Sequence, residues 1–331
     1  MEMVSRTAGG RVEGHLPRFD GATAWLGSPP LTPGDLRGKV VLVDFWTFTC
    51  INWLRTAPYV RAWARKYRAD GLVVIGVHTP EFGFEHDVER VRAVIANRGI
   101  EYPVVVDNDY AVWTAFSNHY WPAVYVVDAE GAIRHHHFGE GEYARSERVI
   151  QDLLAEAGAR DVDRDVVAVE GTGDEAEADW GSLRSPETYL GYERTDNFAS
   201  PGRAALNEPR AYSVPEDLRL NQWALSGTWT LEPGGISLQE AGGGIAFRFR
   251  ARDVHLVMGP AETGQAVRFR VTLDGEPPGA SHGTDVGADG EGVASERRLH
   301  QLVRQRDVVG ERTFAVTFAE PGVGAYVFTF G

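Results

Sequence analysis

The feature that most limits how this chain folds is the stretch VVLVDFWTFTCINWLRTAP at residues 40–58. Val40 to Phe45 is an apolar run interrupted only by Asp44, the pattern of a strand buried on both faces. From Asn52 the spacing turns helical, with Leu54, Tyr59, Ala62 and Trp63 able to share one face. Cys50, the only cysteine of the 331 residues, stands where strand gives way to helix. A thiol there meets backbone N–H groups and the positive end of the helix dipole, and both favour thiolate. The alternative is a buried, inert cysteine, the commoner state of free cysteines.

Around this stretch, strand and helix patterns alternate. Residues 1–11 read as a disordered arm. His15 to Gly38 is rich in Gly, Pro and turn pairs, with Phe19, Trp25 and Leu31 as scattered apolar anchors. Leu72 to Val77 predicts a second buried strand, and His86 to Arg98 a helix with Val88, Val91, Val94 and Ile95 on one face. Tyr102 to Val106 is a further strand, followed by Asp107-Asn108-Asp109, which suits a turn and a helix N-cap. Ala123 to Val127 and Ile133 to Phe138, joined through Ala129-Glu130-Gly131, predict an antiparallel hairpin. Ser146 to Ala157 closes this part as an amphipathic helix. The expectation over residues 12–158 is an α/β domain, a mixed central sheet with helices on both faces.

Residues 159–184 are acidic and rich in small residues, and read as a linker. Over 185–331 helical patterns disappear. Alternating runs such as Val254-Leu256-Met258, Val267-Phe269-Val271-Leu273 and Phe314-Val316-Phe318 predict an all-β sandwich.

A formal net charge of -14 argues against sequence-independent binding to nucleic acid or to an anionic membrane, both of which want a basic face. With one cysteine the fold rests on packing and not on internal disulfides. The first residues lack the apolar core of a signal peptide, and no run is long enough to span a bilayer. A cytoplasmic protein is therefore expected, or an extracytoplasmic one if the start site is misassigned.

VDFW, then Cys50, then Pro58 inside the following helix resembles the active-site segment of the thioredoxin superfamily. Trp121-Pro122 before AVYVVD matches that family's cis-proline, which faces the thiol and helps hold an extended partner chain. GLVVIGVHTPEF and GEGEY are similar to the TlpA/ResA-like branch, most of all to the C-terminal region of DipZ-type proteins. The resemblance covers nearly the whole chain. It implies a thioredoxin-like domain followed by a jelly-roll-like domain similar to carbohydrate-binding modules, so carbohydrate is a candidate ligand of 185–331. It also implies a thiol or disulfide substrate, protein or small molecule. DipZ-type proteins attach this module to a membrane-embedded electron-transfer domain; with no such run in these 331 residues, a soluble version is the expectation.

One departure decides the chemistry: the family's Cys-x-x-Cys is here Cys50-Ile51-Asn52-Trp53. A dithiol enzyme attacks with one thiolate and resolves with the second, and Trp53 has no sulfur. Three readings of Cys50 follow: a monothiol forming mixed disulfides with an external small thiol completing the cycle, a one-cysteine peroxidase, or the relic of a redox-inactive binding module. Thr47 stands three residues ahead of Cys50, as in peroxiredoxins, but their proline seven residues ahead is Val43. Pairing of Cys50 with its counterpart in a second copy is a further option. Asp44 matches the buried acid that serves the second thiol, and burial should raise its pKa. Glu81 matches an acid near the thiol pair. Trp53 either fills the space of the missing sulfur or walls a pocket, and Trp121 and Pro122 dock the partner. No cofactor or metal is expected. His135, His136 and His137 alternate faces on a strand and so cannot converge on one ion. Asp285 to Glu296 has nearly the spacing of a calcium loop but lacks its third-position ligand and preceding helix. Trp223, Trp229 and Tyr326 either fill the sandwich core or form a sugar-stacking platform.

Overall fold

The computed structural model describes residues 12–262, 264–306 and 308–331, so the arm expected at 1–11 lies outside the described residues. The chain divides into two compact units, Met1–Glu175 and Ala176–Gly331.

In the first unit the described residues begin with β1 (Gly14–His15), β2 (Ala24–Leu26), α1 (Pro33–Leu36), β3 (Val40–Trp46) and α2 (Ile51–Lys66). There follow β4 (Leu72–His78), α3 (Val88–Asn97), β5 (Val104–Val106), α4 (Ala111–Ala115), β6 (Ala123–Val127), β7 (Ala132–Phe138) and α5 (Tyr143–Glu156). The strands form one sheet in the order β1-β7-β6-β3-β4-β5-β2. β3 lies at its centre, parallel to β4 and antiparallel to β6. Every residue from Val40 to Trp46 is buried, as an apolar run with strands on both sides requires. Opposite Asp44 on β4 stands Gly76. A Cβ there would lie 2.9 Å from Trp46 Nε1 and 3.2 Å from the Tyr102 ring, so glycine lets both rings lie close to the sheet.

The N-terminal segment crosses the sheet: β1 pairs with β7 at one edge and β2 with β5 at the other. α5 starts at Tyr143, earlier than its own periodicity indicates, because the Tyr143 ring stacks on Tyr59 of α2 at 3.7 Å. The N-cap of α4 is Tyr110, in the left-handed region, and its side chain makes no cap bond. Asp107 does that work from three residues upstream, accepting the Val112 and Trp113 N–H groups at 2.9 and 2.8 Å. The acidic residues Asp174 and Glu175 are ion-paired: Asp174 with Arg98 at 2.6 Å and Glu175 with Arg61 at 2.8 Å.

The second unit contains β8 (Thr188–Tyr189), β9 (Pro209–Tyr212), β10 (Trp223–Leu231), β11 (Ile236–Leu238), β12 (Gly244–Arg250) and β13 (Asp253–Pro260). β14 (Val267–Leu273), β15 (Glu291–Ala294), β16 (Arg298–Arg304), β17 (Glu311–Phe318) and β18 (Val323–Phe330) complete it. These strands make one curled antiparallel sheet whose two halves share β10. Trp223 to Ser226 pairs with β12, and the strand then pairs with β9 and β11. At the change of partner Gly227 has φ +85°, and a Cβ there would meet Gly243 at 2.8 Å. The halves enclose a core of Trp223, Trp229, Phe247, Phe249, Phe314 and Phe328. Trp223 and Trp229 are wholly buried, so neither indole is open to stack on a sugar, while Tyr326 is half-buried. Asp285, first residue of the calcium-like spacing, is taken by Arg298 at 2.5 Å, and Glu291 to Ala294 is strand. No helix among the described residues is long and apolar enough to cross a membrane.

Candidate functional site

β3 ends at Trp46, and the turn Thr47-Phe48-Thr49 delivers Cys50 to the N-terminus of α2. The Cys50 N–H donates to the Thr47 carbonyl at 3.2 Å, and the Cys50 carbonyl accepts from Leu54 at 3.0 Å. Cys50 is thus the N-cap of a 16-residue helix, with extended backbone and no side-chain cap bond. Cys50 is half-buried, and its S–H donates to the Trp121 carbonyl at 3.8 Å. The Trp121-Pro122 peptide is cis. The Trp121 indole N–H donates to the Thr79 carbonyl at 3.1 Å, and its ring packs on Trp113 at 4.3 Å. Gly139 at the end of β7 donates to the Pro122 carbonyl at 2.8 Å. The structure therefore brings Cys50, Trp121 and Pro122 together, each held by backbone from a different strand end.

Asp44 and Trp53 meet behind this surface. The Trp53 ring is fully buried, stacked on Trp46 at 4.3 Å, and its N–H donates to Asp44 Oδ2 at 3.3 Å. Asp44 Oδ1 has no hydrogen-bond partner among the described residues. Burial pushes the Asp44 carboxyl up to about 7, the Trp53 hydrogen bond opposing it. His78, edge-on to Trp46 at 4.8 Å, is pushed down to about 3, first by burial and then by the charge of His86, and so stays neutral.

Glu81 is half-buried, and its backbone N–H donates to Glu85 at 2.7 Å. Glu85 is the acid that sequence reasoning missed. It is wholly buried and binds Thr49, the residue before the cysteine, through both O–H (2.7 Å) and N–H (3.3 Å). Its one sequence signal is a carboxylate set close behind Phe82 and Phe84, where apolar neighbours imply a buried partner.

The GEGEY segment fastens α2 from the other side. Arg55 and Glu140 form a buried ion pair at 3.1 Å, and Thr56 shares a hydrogen bond with Tyr143 at 3.2 Å. The three adjacent histidines go separate ways, His135 to Ser146, His136 to Glu13 and His137 to the Glu140 carbonyl. No cluster of three or more His, Cys, Asp or Glu suited to a metal occurs among the described residues. A cavity of about 250 Å³ in this unit is lined by Arg61, Arg68, Leu72, Val74 and Tyr102, not by Cys50.

The AhpC/TSA family model matches residues 16–136, and the model of a thioredoxin-like C-terminal domain matches 185–331. Protein DipZ of Mycobacterium tuberculosis and that of Mycobacterium bovis are each 36% identical over 318 residues, which cover 92% of this chain and 43% of theirs. The chain thus spans less than half the length of those relatives. The thiol-disulfide oxidoreductase YkuV of Bacillus subtilis is 32% identical over 141 residues, covering 43% of this chain and 95% of that protein.

Proposed function

We propose that this chain, which belongs to the thioredoxin superfamily in its TlpA/ResA-like branch, exchanges thiols and disulfides through Cys50 alone. The observation that carries this reading is the partly exposed Cys50 at the mouth of α2, its sulfur 3.8 Å from the carbonyl that precedes Pro122. The helix N-terminus favours the anionic sulfur. In the first step the Cys50 thiolate attacks one sulfur of a disulfide: a new S–S bond forms, the old one breaks, and the departing thiolate takes the electron pair. An external thiolate then attacks the substrate sulfur of the mixed disulfide, forming a new disulfide and returning Cys50 as thiolate. Trp121 and Pro122 border the incoming chain, and Asp44 and Glu81 tune protonation.

A second reading draws on the AhpC/TSA match and on Thr47 three residues ahead of the cysteine. There the Cys50 thiolate attacks one peroxide oxygen, the O–O bond breaks, the other oxygen leaves with the electron pair and takes a proton as water or an alcohol, and Cys50 becomes sulfenic acid. The test is mass spectrometry of the native protein after diamide with small thiols, and separately after peroxide. One small-thiol adduct at Cys50, absent in Cys50→Ser, is the expected result. A sulfenic acid with no adduct favours the peroxidase. A Cys50 inert to alkylation and to both treatments overturns the redox reading and leaves a binding module, whose partner capture would survive Cys50→Ser.

A further inference from the structure

We propose that Glu85 is a positioning residue for Cys50, a buried carboxylate that holds the turn carrying the thiol and sets a negative charge against it. The inference rests on the reading of Cys50 as a nucleophile and adds the residue that fixes where, and at what pH, the nucleophile is ready.

Four donors converge on this side chain. Oε1 accepts the Thr49 O–H at 2.7 Å and the Thr49 N–H at 3.3 Å; Oε2 accepts the N–H groups of Glu81 at 2.7 Å and Phe82 at 2.9 Å. Two loops that are distant in sequence, the β3–α2 turn and the segment after β4, are thereby joined through one carboxylate with no exposed surface. A set made only of donors matches an ionised carboxylate, which has acceptors and no proton to place; burial raises its pKa, and the hydrogen bonds from Phe82 and Thr49 oppose that. Thr49 is bonded directly to Cys50 in the chain, so the turn geometry passes to the sulfur through one residue. A negative charge held on the thiol's own turn disfavours a second one on sulfur and opposes the α2 dipole.

The other charged or titratable groups on the elements packed around the turn are differently engaged. Arg55 on α2 is paired with Glu140 beyond β7, Asp44 on β3 is bonded to Trp53, and His78 on β4 is neutral. Glu81 and His86 flank Glu85, and His119 and Tyr120 precede Trp121. Glu85 is the acid hydrogen-bonded to the thiol's own turn.

The experiment is the rate of Cys50 alkylation by iodoacetamide against pH in the full chain, for the native protein, Glu85→Gln, Glu85→Asp and Thr49→Val. Glu85→Gln keeps the shape and removes the charge, and its midpoint should fall by about one pH unit. Glu85→Asp keeps the charge but draws it back from Thr49, so the midpoint should hold while mixed-disulfide formation slows several-fold. Thr49→Val removes a donor that holds Glu85 ionised, so the carboxyl takes up a proton more readily and the midpoint should fall in the same direction as in Glu85→Gln. A reactive native protein whose midpoint is the same in Glu85→Gln overturns the role of Glu85. Should Glu85→Gln not fold, an unmoved midpoint in Thr49→Val overturns it instead. A native Cys50 that no reagent reaches overturns the underlying reading, a distinct result.

Discussion

Asp44 is a carboxyl group enclosed by aromatic rings, with one oxygen bonded to an indole and the other unpartnered among the described residues. Its pKa rises from 3.8 to about 7 on folding. Between those values the folded chain holds a proton that the unfolded chain has released. Stability therefore falls as pH rises through this window; the penalty is absent below the lower value and complete above the upper one. Three units correspond to about 4 kcal/mol as an order of magnitude. Asp44→Asn removes the titration. Between pH 5 and pH 8 the native urea midpoint should fall relative to that of Asp44→Asn, the buried neutral His78 adding the same opposite trend to both. A difference between the two that does not change with pH would show that Asp44 is already ionised at the lower pH.

At the level of the element, α4 depends on a residue outside it. Asp107→Ala leaves the Val112 and Trp113 N–H groups unpartnered and should cost about 1–2 kcal/mol, read as a lower melting temperature. Local patterns made much of the sheet legible: β3, β4, β6 and β7 fall where apolar runs place them, because a central strand carries its burial in its own residues. β1 and β2 were not separable, since two or three residues have no period and their pairing partners are distant in sequence. The N-terminal turn of α5 is fixed by the contact of Tyr143 with Tyr59, which no window of sequence contains. Cys50 and the Trp121-Pro122 pair were legible because short motifs carry them. Glu85 was not, because its meaning lies in Thr49, 36 residues earlier. In the second unit alternation revealed the strands, but not that β10 serves both halves.

The molecule as a whole has two cores whose buried titratable groups answer acid differently. In the second unit Asp253 is buried, which alone would raise its pKa, yet hydrogen bonds from Arg304 and Arg252 hold it below the usual range. That contribution is present above the unfolded carboxylate value and is lost as pH falls through the folded one. Calorimetry from pH 8 down to pH 5 should show the second unit's transition falling, because burial depresses His300 to about 4 and the unfolded chain takes up that proton first. In the first unit Asp44 and His78 act in opposite senses, and the transition moves less. Below about pH 4 the loss of the Asp253 contribution should lower the second further. Transitions that move in parallel would contradict this assignment.

Trp53, clamped between Trp46 and Asp44, has one more consequence. In the proposed exchange, a molecule joined to Cys50 would find no second thiol in these 331 residues to eject it, so its departure would be a bimolecular event. How long the cap persists then tracks the abundance of the surrounding reductant, and the fraction of capped molecules becomes a gauge of the redox balance around them.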